Sequence, residues 1–231
     1  MENTLDQTSQ KVDSELMKTN LPSETFNYWS HFGALLLWIP ITLGLLISAW
    51  GRLDRMWVSL VYGAAVVFLF YSSSNYHKHK TAENEKSLRR TMDHFAIFVM
   101  IAGTYTPVAS VWFPDPARGI ILGVQWSLVL LGFLMAIFVR GRPRWVDPVI
   151  YVAMGWVVIV MIGWLWESMD RAAFWWMLVG GVFYTGGAVI YLLKMPNWKN
   201  SGLGFHEIFH LCIVGGALSH VFMVYLAVTA P

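Results

Sequence analysis

The sequence predicts an all-α integral membrane protein, a bundle of seven transmembrane helices. Apolar residues make up 56% of the chain and charged residues only 13%, whereas an average soluble domain carries about 25% charged residues. Charge-poor runs of about 20 residues recur, and each can cross a bilayer as a helix. These runs are longer than barrel strands and do not alternate in polarity as barrel strands do, which favours helices.

The predicted elements follow one another with short polar connections between them. Residues 1–25 are polar and mixed in charge, so we expect a flexible tail before a transmembrane domain at 26–231. Pro40 and Pro107 fall inside predicted helices, which membrane helices tolerate when neighbouring groups satisfy the freed carbonyls. The predicted spans are about 28–50, 56–77, 92–113, 119–139, 147–166, 173–194 and 206–228.

The distribution of basic residues predicts the orientation of the bundle. Twelve of the 16 Lys and Arg residues lie in the tail and in the connections after spans 2, 4 and 6. Basic residues concentrate on the cytoplasmic side of membrane proteins. We therefore expect a cytoplasmic N-terminus and an external C-terminus.

Net charge and cysteine content exclude two classes of protein. The formal charge of +2 is too small to indicate a nucleic-acid partner, and Cys212 is the single cysteine, so no intrachain disulfide can form. We interpret Cys212 as a packed small apolar side chain. Membrane lipids are the expected partners.

His206 and His210 are the most informative residues of the chain. Residues four apart lie on the same face of a helix, so both imidazoles can bind one metal ion. They stand at the start of the last apolar run, where polar side chains are costly. This pattern predicts a metal site at the edge of the membrane.

The predicted orientation brings further groups to the same depth. Span 2 ends near His77, and span 3 begins near Asp93. Three imidazoles with an open fourth position form a typical catalytic zinc site. Zinc lowers the pKa of bound water to about 7, which yields a hydroxide nucleophile. Asp93 is a candidate for holding that water and acting as its general base. Ser73, one turn before His77, is a candidate for holding the water or an oxyanion.

Each candidate also has a purely structural interpretation. The histidines can bond to neighbours or reach the interface, and Asp93 can pair with Arg89 or Arg90 at a helix start. Ser73 lies in a serine run that is typical of helix packing.

The remaining histidines are weaker candidates for ligands. His94 points about 100° away from Asp93 and is expected to support the site rather than bind the ion. His31 and His220 are interpreted as buried polar contacts or supporting partners, and His79 as a solvated residue.

The segment from His206 to His210 also matches the H-E-x-x-H motif of zinc proteases. That interpretation makes Glu207 the general base and needs a third ligand. The extended motif fails because Ile213 and Gly216 stand where Gly and His are required, and no acidic residue follows Glu207. Glu207 is also rotated about 100° from the histidine pair. The sequence therefore disfavours a protease.

Several segments together resemble the haemolysin III family, the bacterial branch of the superfamily that includes the adiponectin receptors. The resemblance covers nearly everything from about residue 26 onward. The matching segments are Ser73-x3-His77, Leu88-Arg89-Arg90-x-x-Asp93-His94, Ala102-Gly103-Thr104-Tyr105-Thr106-Pro107, Gly204-Phe205-His206-Glu207-Ile208-Phe209-His210, and the histidine at position 31.

The resemblance implies a seven-helix fold with the N-terminus inside, in a bacterial inner membrane. It implies Zn²⁺ bound by His77, His206 and His210, with Asp93 on the zinc-bound water and Ser73 nearby. For the adiponectin-receptor relatives it implies hydrolysis of lipid amides, of the ceramidase type. For the bacterial branch it implies names based on cytolytic pore formation and a proposed role in membrane lipid or fluidity homeostasis.

Two hypotheses of different classes follow. In the first, the protein is a zinc-dependent hydrolase of a membrane lipid amide or ester. In the second, it is a non-enzymatic sensor or pore-forming protein with structural zinc that links helices. Three imidazoles also suit copper, iron or nickel. The substrate and the oligomeric state stay open.

Overall fold

The computed structural model describes residues 22–82, 85–139, 143, 145–196 and 203–230. The helices are α1 (Pro22–Ser48), α2 (Leu53–His79), α3 (Leu88–Trp112), α4 (Ala117–Phe138), α5 (Val146–Trp156), α6 (Ile162–Ser168), α7 (Arg171–Leu193) and α8 (Phe205–Thr229). Helices α5 and α6 are two parts of one span. Within the described residues, seven helical spans are thus long and apolar enough to cross a membrane, which confirms the predicted fold class.

The first helix begins earlier than the hydropathy indicates. Helix α1 starts at Pro22, so the last four residues of the predicted tail form its first turn. Residues 1–21 lie outside the described part of the chain. The early start matters because it places Glu24 on a helix beside the candidate site.

Side-chain caps explain where several helices begin. The Ser87 hydroxyl accepts a hydrogen bond from the Arg90 N–H at the start of α3. The Asp170 carboxylate accepts from the N–H groups of Ala172 and Ala173 at the start of α7. These contacts satisfy amides that a helix leaves without partners at its first turn.

The fifth span is interrupted, whereas the sequence predicts one helix over about 147–166. A 3₁₀ segment, Val157–Met161, separates α5 from α6. The Tyr105 hydroxyl of α3 accepts a hydrogen bond from Val158 N–H at 2.7 Å and donates one to the Gly155 carbonyl at 2.7 Å. A side chain that inserts into the helical hydrogen-bond pattern in this way distorts the helix locally.

Three helices form the interior of the bundle. In the most apolar window of each span, 56% of α2, 61% of α3 and 56% of α8 is buried, against 22% of α1, α4 and α7 and 11% of the fifth span. The inner helices carry His77, Asp93, and His206 with His210. The outer helices cover them with large apolar side chains. The inside–outside orientation stays a prediction from the charge distribution.

Candidate metal centre

Three histidines from two helices form a compact cluster. His77 lies in the last turn of α2, and His206 and His210 lie in the first two turns of α8. One ring nitrogen from each histidine lies within 4.8 Å of the others. The ring centroids are 4.7 Å apart for His77 and His210 and 4.9 Å apart for His206 and His210. The structure therefore brings the three predicted ligands together.

The cluster has the properties of a cation site. His77 and His210 are 3% and 2% exposed. His206 Nε2 and His210 Nδ1 are buried, and neither has a hydrogen-bond partner among the described residues. Buried polar atoms normally have partners, because an unpaired one costs free energy. Three ring nitrogens within 4.8 Å of one another can hold one metal ion, and a three-imidazole donor set fits zinc.

Glu24 of α1 holds one of these histidines. Its Oε2 lies 2.6 Å from His77 Nδ1, and its Oε1 accepts a hydrogen bond from the Lys80 ammonium. A carboxylate only accepts, so the His77 Nδ1–H donates, and in the neutral imidazole this leaves Nε2 as the nitrogen with a lone pair. Carboxylate–imidazole pairs of this kind orient metal-binding histidines and raise their basicity.

The sequence interpretation missed Glu24, although a signal was present. Glu24, Asn27 and His31 recur at helical spacing on one face at the start of α1. Asn27 and His31 are 1% and 3% exposed. Polar side chains in that pattern on a buried face indicate that α1 approaches the site.

His31 packs directly against the cluster. Its ring stacks on that of His210 with centroids 3.9 Å apart. Neither of its ring nitrogens has a hydrogen-bond partner within the described part of the chain. His31 thus occupies the supporting position that the sequence suggested, without belonging to the three-histidine set.

A cavity of about 360 Å³ opens from the cluster into the bundle. Its wall includes His206 and His210 at one end and His220 and Met223 further along α8. The wall between them is mainly apolar, with residues such as Ile97, Met100, Ile101, Val152, Leu178 and Ile213. An interior of this shape and polarity can hold an acyl chain.

Asp93 and Ser73 line the same cavity as His206 and His210. Ser73 is 3% exposed, and Asp93 is half-buried at the start of α3. Both residues predicted to act beside the metal are therefore on the wall of one chamber with it. Their chemical roles stay predictions.

A second carboxylate reaches this end of the cavity from α5. Asp147 Oδ2 lies 3.2 Å from His94 Nδ1, and the Tyr151 hydroxyl donates to the His94 carbonyl at 2.9 Å. His94 and Asp147 both line the cavity. His94 therefore links α3 to α5 beside the site, and Asp147 is a further residue that the sequence interpretation missed.

Glu207 caps the start of α8 and does not belong to the three-histidine cluster. Its Oε2 accepts a hydrogen bond from the Gly204 N–H at 2.7 Å, and the side chain is not part of the metal-binding set. A carboxylate at this position caps the start of α8 and complements the helix dipole. The resemblance to the protease motif therefore reflects a helix-capping glutamate beside two candidate ligands.

The remaining candidates occupy positions consistent with their structural interpretations. His79 is exposed at the end of α2, where its Nδ1 lies 2.9 Å from the Asn75 carbonyl. Cys212 is a partly exposed free cysteine. His220 is buried beside α7.

Comparison with known proteins gives consistent matches over most of the chain. The family model described as "Haemolysin-III related" matches residues 19–221. Hemolysin-3 of Bacillus cereus is 32% identical over 203 residues, which cover 87% of this chain and 90% of the relative. A Hemolysin-3 homolog of Bacillus subtilis is 30% identical over 210 residues, covering 88% and 93%. The adiponectin receptor protein of Drosophila melanogaster is 23% identical over 223 residues, covering 86% and 49%.

Proposed function

The chain belongs to the haemolysin III family of multi-pass membrane proteins, and from this premise we propose that it is a zinc-dependent hydrolase of a membrane lipid amide or ester. One observation carries the proposal. A buried three-histidine cluster opens onto an apolar cavity whose wall also includes Asp93. This arrangement combines a metal site, a candidate base and room for an acyl chain.

The residues that would hold the ion are His77, His206 and His210, with Glu24 orienting His77. Zinc fits the donor set best, and copper, iron and nickel also accept imidazoles. When bound, zinc polarises a carbonyl group and supplies a water molecule of lowered pKa.

The chain itself supplies proton transfer and positioning. The Asp93 carboxylate accepts a proton from the attacking water and returns it to the leaving amine or alcohol, which is general acid–base catalysis. The Ser73 hydroxyl donates a hydrogen bond to the oxygen that becomes negative as the carbonyl is attacked. The apolar wall holds the acyl chain and excludes bulk water from this end of the cavity.

The test uses purified protein with ceramide-like and phospholipid substrates, with and without a chelator. We expect chelator-sensitive release of a fatty acid from one class and loss of that release in His210→Ala. His79→Ala is the matched control, because His79 is an exposed histidine at the end of α2, two residues after His77. Equal product yield from the wild type and His210→Ala would refute the proposal.

Metal analysis completes this experiment. We expect about one zinc per chain in the wild type and much less in His77→Ala, because one of three ligands is gone. Retention of a full equivalent of zinc by His77→Ala would place the ion elsewhere.

The name hemolysin-3, which the Bacillus relatives carry, favours a second candidate, a membrane-lytic protein or membrane sensor in which the metal is structural. The cluster joins the end of α2 to the start of α8, so a bound ion would stabilise the fold by mass action. In this case ligand substitutions lower thermal stability, and Asp93→Asn costs nothing in the functional assay. Ion release from lipid vesicles is the assay for a pore.

A further inference from the structure

A second polar group lies deeper in the cavity. His220 of α8 and Tyr184 of α7 both line it, with ring centroids 5.3 Å apart and the rings edge to face. His220 follows His210 by ten residues, which is roughly 15 Å along a helix. Between this pair and the histidine cluster the wall is mainly apolar, so the cavity has two separate polar ends.

The hydrogen bonding of His220 determines which of its nitrogens carries the proton. Nε2 lies 3.2 Å from the Met177 carbonyl oxygen. A carbonyl only accepts, so Nε2–H donates and Nδ1 is left as an acceptor. His220 is 9% exposed, and its Nδ1 has no hydrogen-bond partner among the residues that the structure describes.

Tyr184 contributes the complementary group. Its hydroxyl oxygen is buried and has no hydrogen-bond partner in the described segments. A phenol hydroxyl donates one hydrogen bond and also accepts. The pair therefore carries one unpaired acceptor and one unpaired donor on side chains that line the same cavity, and both are costly to leave unpaired.

Two glycines create the space that these rings occupy. A Cβ atom at Gly180 would lie 2.2 Å from His220 Nε2, and one at Gly216 would lie 2.7 Å from the Tyr184 ring. Any larger residue at either position would displace the polar ring beside it. The placement of both rings is therefore built into the α7–α8 contact.

We propose that His220 and Tyr184 bind a neutral hydroxyl group on the chain of a lipid whose polar head lies at the histidine cluster. A hydroxyl donates to His220 Nδ1 and accepts from the Tyr184 hydroxyl, which satisfies both groups at once. The carboxylates that line the cavity, Asp93 and Asp147, lie at the other end, near His94. The location of the head rests on the proposed function, whereas the binding measurement needs no turnover.

The experiment compares the equilibrium binding of 12-hydroxyoctadecanoate and octadecanoate to the purified zinc-loaded protein. These acids differ by one hydroxyl, about as far from the carboxylate as His220 is from His210. We expect the hydroxy acid to bind roughly tenfold more tightly, as two ordinary neutral hydrogen bonds imply. Tyr184→Phe should reduce this ratio to about threefold, because the hydrogen bond to His220 Nδ1 remains, and Tyr225→Phe, an exposed control on α8, should keep it at about tenfold.

Each outcome separates the two proposals. Equal binding of the two acids by the wild type overturns the hydroxyl site and indicates that a buried water satisfies the pair. An undiminished preference in Tyr184→Phe overturns the assignment to this tyrosine. A preference without chelator-sensitive hydrolysis supports the hydroxyl site and counts against the hydrolase. The comparison is a ratio within one variant, so a general loss of stability cancels.

Discussion

The two polar ends of the cavity share helix α8 but place its histidines in different surroundings. At one end, His206 and His210 face His77, and His77 is held by the Glu24 carboxylate. At the other end, His220 donates to a backbone carbonyl and meets the Tyr184 phenol. In the first group, ring nitrogens of three histidines lie close together. In the second group, one hydrogen-bond acceptor lies beside one donor.

The difference shows that surroundings, rather than residue type, determine what a buried histidine can bind. Several imidazoles with a nearby carboxylate favour a cation, because the carboxylate raises the basicity of the ring and offsets positive charge. His220 lies outside the three-histidine set, so this single imidazole with its phenol neighbour favours a neutral group. A polar head and a hydroxylated chain would therefore be sorted to opposite ends of one cavity.

The largest effect that sharpens this comparison is expected from Asp93→Asn. Asparagine keeps the size of the side chain but cannot accept the proton, and general base catalysis contributes about 10²- to 10⁴-fold to rates. We expect turnover to fall by that factor while zinc content and preference for the hydroxy acid stay unchanged. Steady-state kinetics and metal analysis measure both.

Asp54→Asn is the control for this substitution, since Asp54 is an aspartate on α2 whose side chain is 76% exposed. It should leave turnover unchanged. Full activity of Asp93→Asn would remove the carboxylate from the mechanism and favour the structural role of the metal.

A smaller effect is expected from Glu24→Gln. The amide oxygen can still accept from His77 Nδ1, but the negative charge beside the imidazole is lost, and Lys80 loses its ionic partner. Loss of such an outer contact typically weakens metal affinity 10- to 100-fold. Competition with a chelator of known affinity measures this change. Exposed Glu167 supplies the control Glu167→Gln, and equal zinc affinity in both variants would refute the role of Glu24.

The sequence predicted the parts of the site that follow from periodicity and topology. Seven consecutive charge-poor spans must alternate in direction across the membrane. The end of the second span and the start of the seventh therefore lie on the same side, which brings His77 to the same end as His206 and His210. Glu24 was missed because it lies in a polar segment where hydropathy indicates no helix. The break in the fifth span was missed because its cause, Tyr105, comes from another helix.

The polar end formed by His220 and Tyr184 could not be predicted from the sequence either, because it depends on a contact between α7 and α8. His220 by itself is an isolated histidine in an apolar run. The roles of Tyr184, Gly180 and Gly216 depend on the close packing of the two helices. Only at that distance would a Cβ atom at either glycine clash with the neighbouring ring.

Gly180→Ala tests that far end and should leave the metal centre intact. The new Cβ would lie 2.1 Å from His220 Cδ2, so the ring must move. Overpacking of this kind costs about 1–3 kcal/mol of stability. We expect a lower unfolding temperature and no preference for the hydroxy acid, with zinc content unchanged. Gly186→Ala is the control, because a Cβ there meets no atom within 4 Å in the described structure.

The smallest effect is expected from Glu207→Gln, which distinguishes a mechanism with Asp93 as the base from a protease-type mechanism with Glu207 as the base. The glutamine oxygen can still accept from the Gly204 N–H, so the change removes only the favourable interaction of a negative charge with the start of α8, worth about 0.3–1 kcal/mol. Zinc content and turnover should stay near those of the wild type. A protease-type mechanism would use Glu207 as its base, so turnover would fall as steeply as it should in Asp93→Asn. Measuring both variants side by side therefore identifies which carboxylate takes the proton.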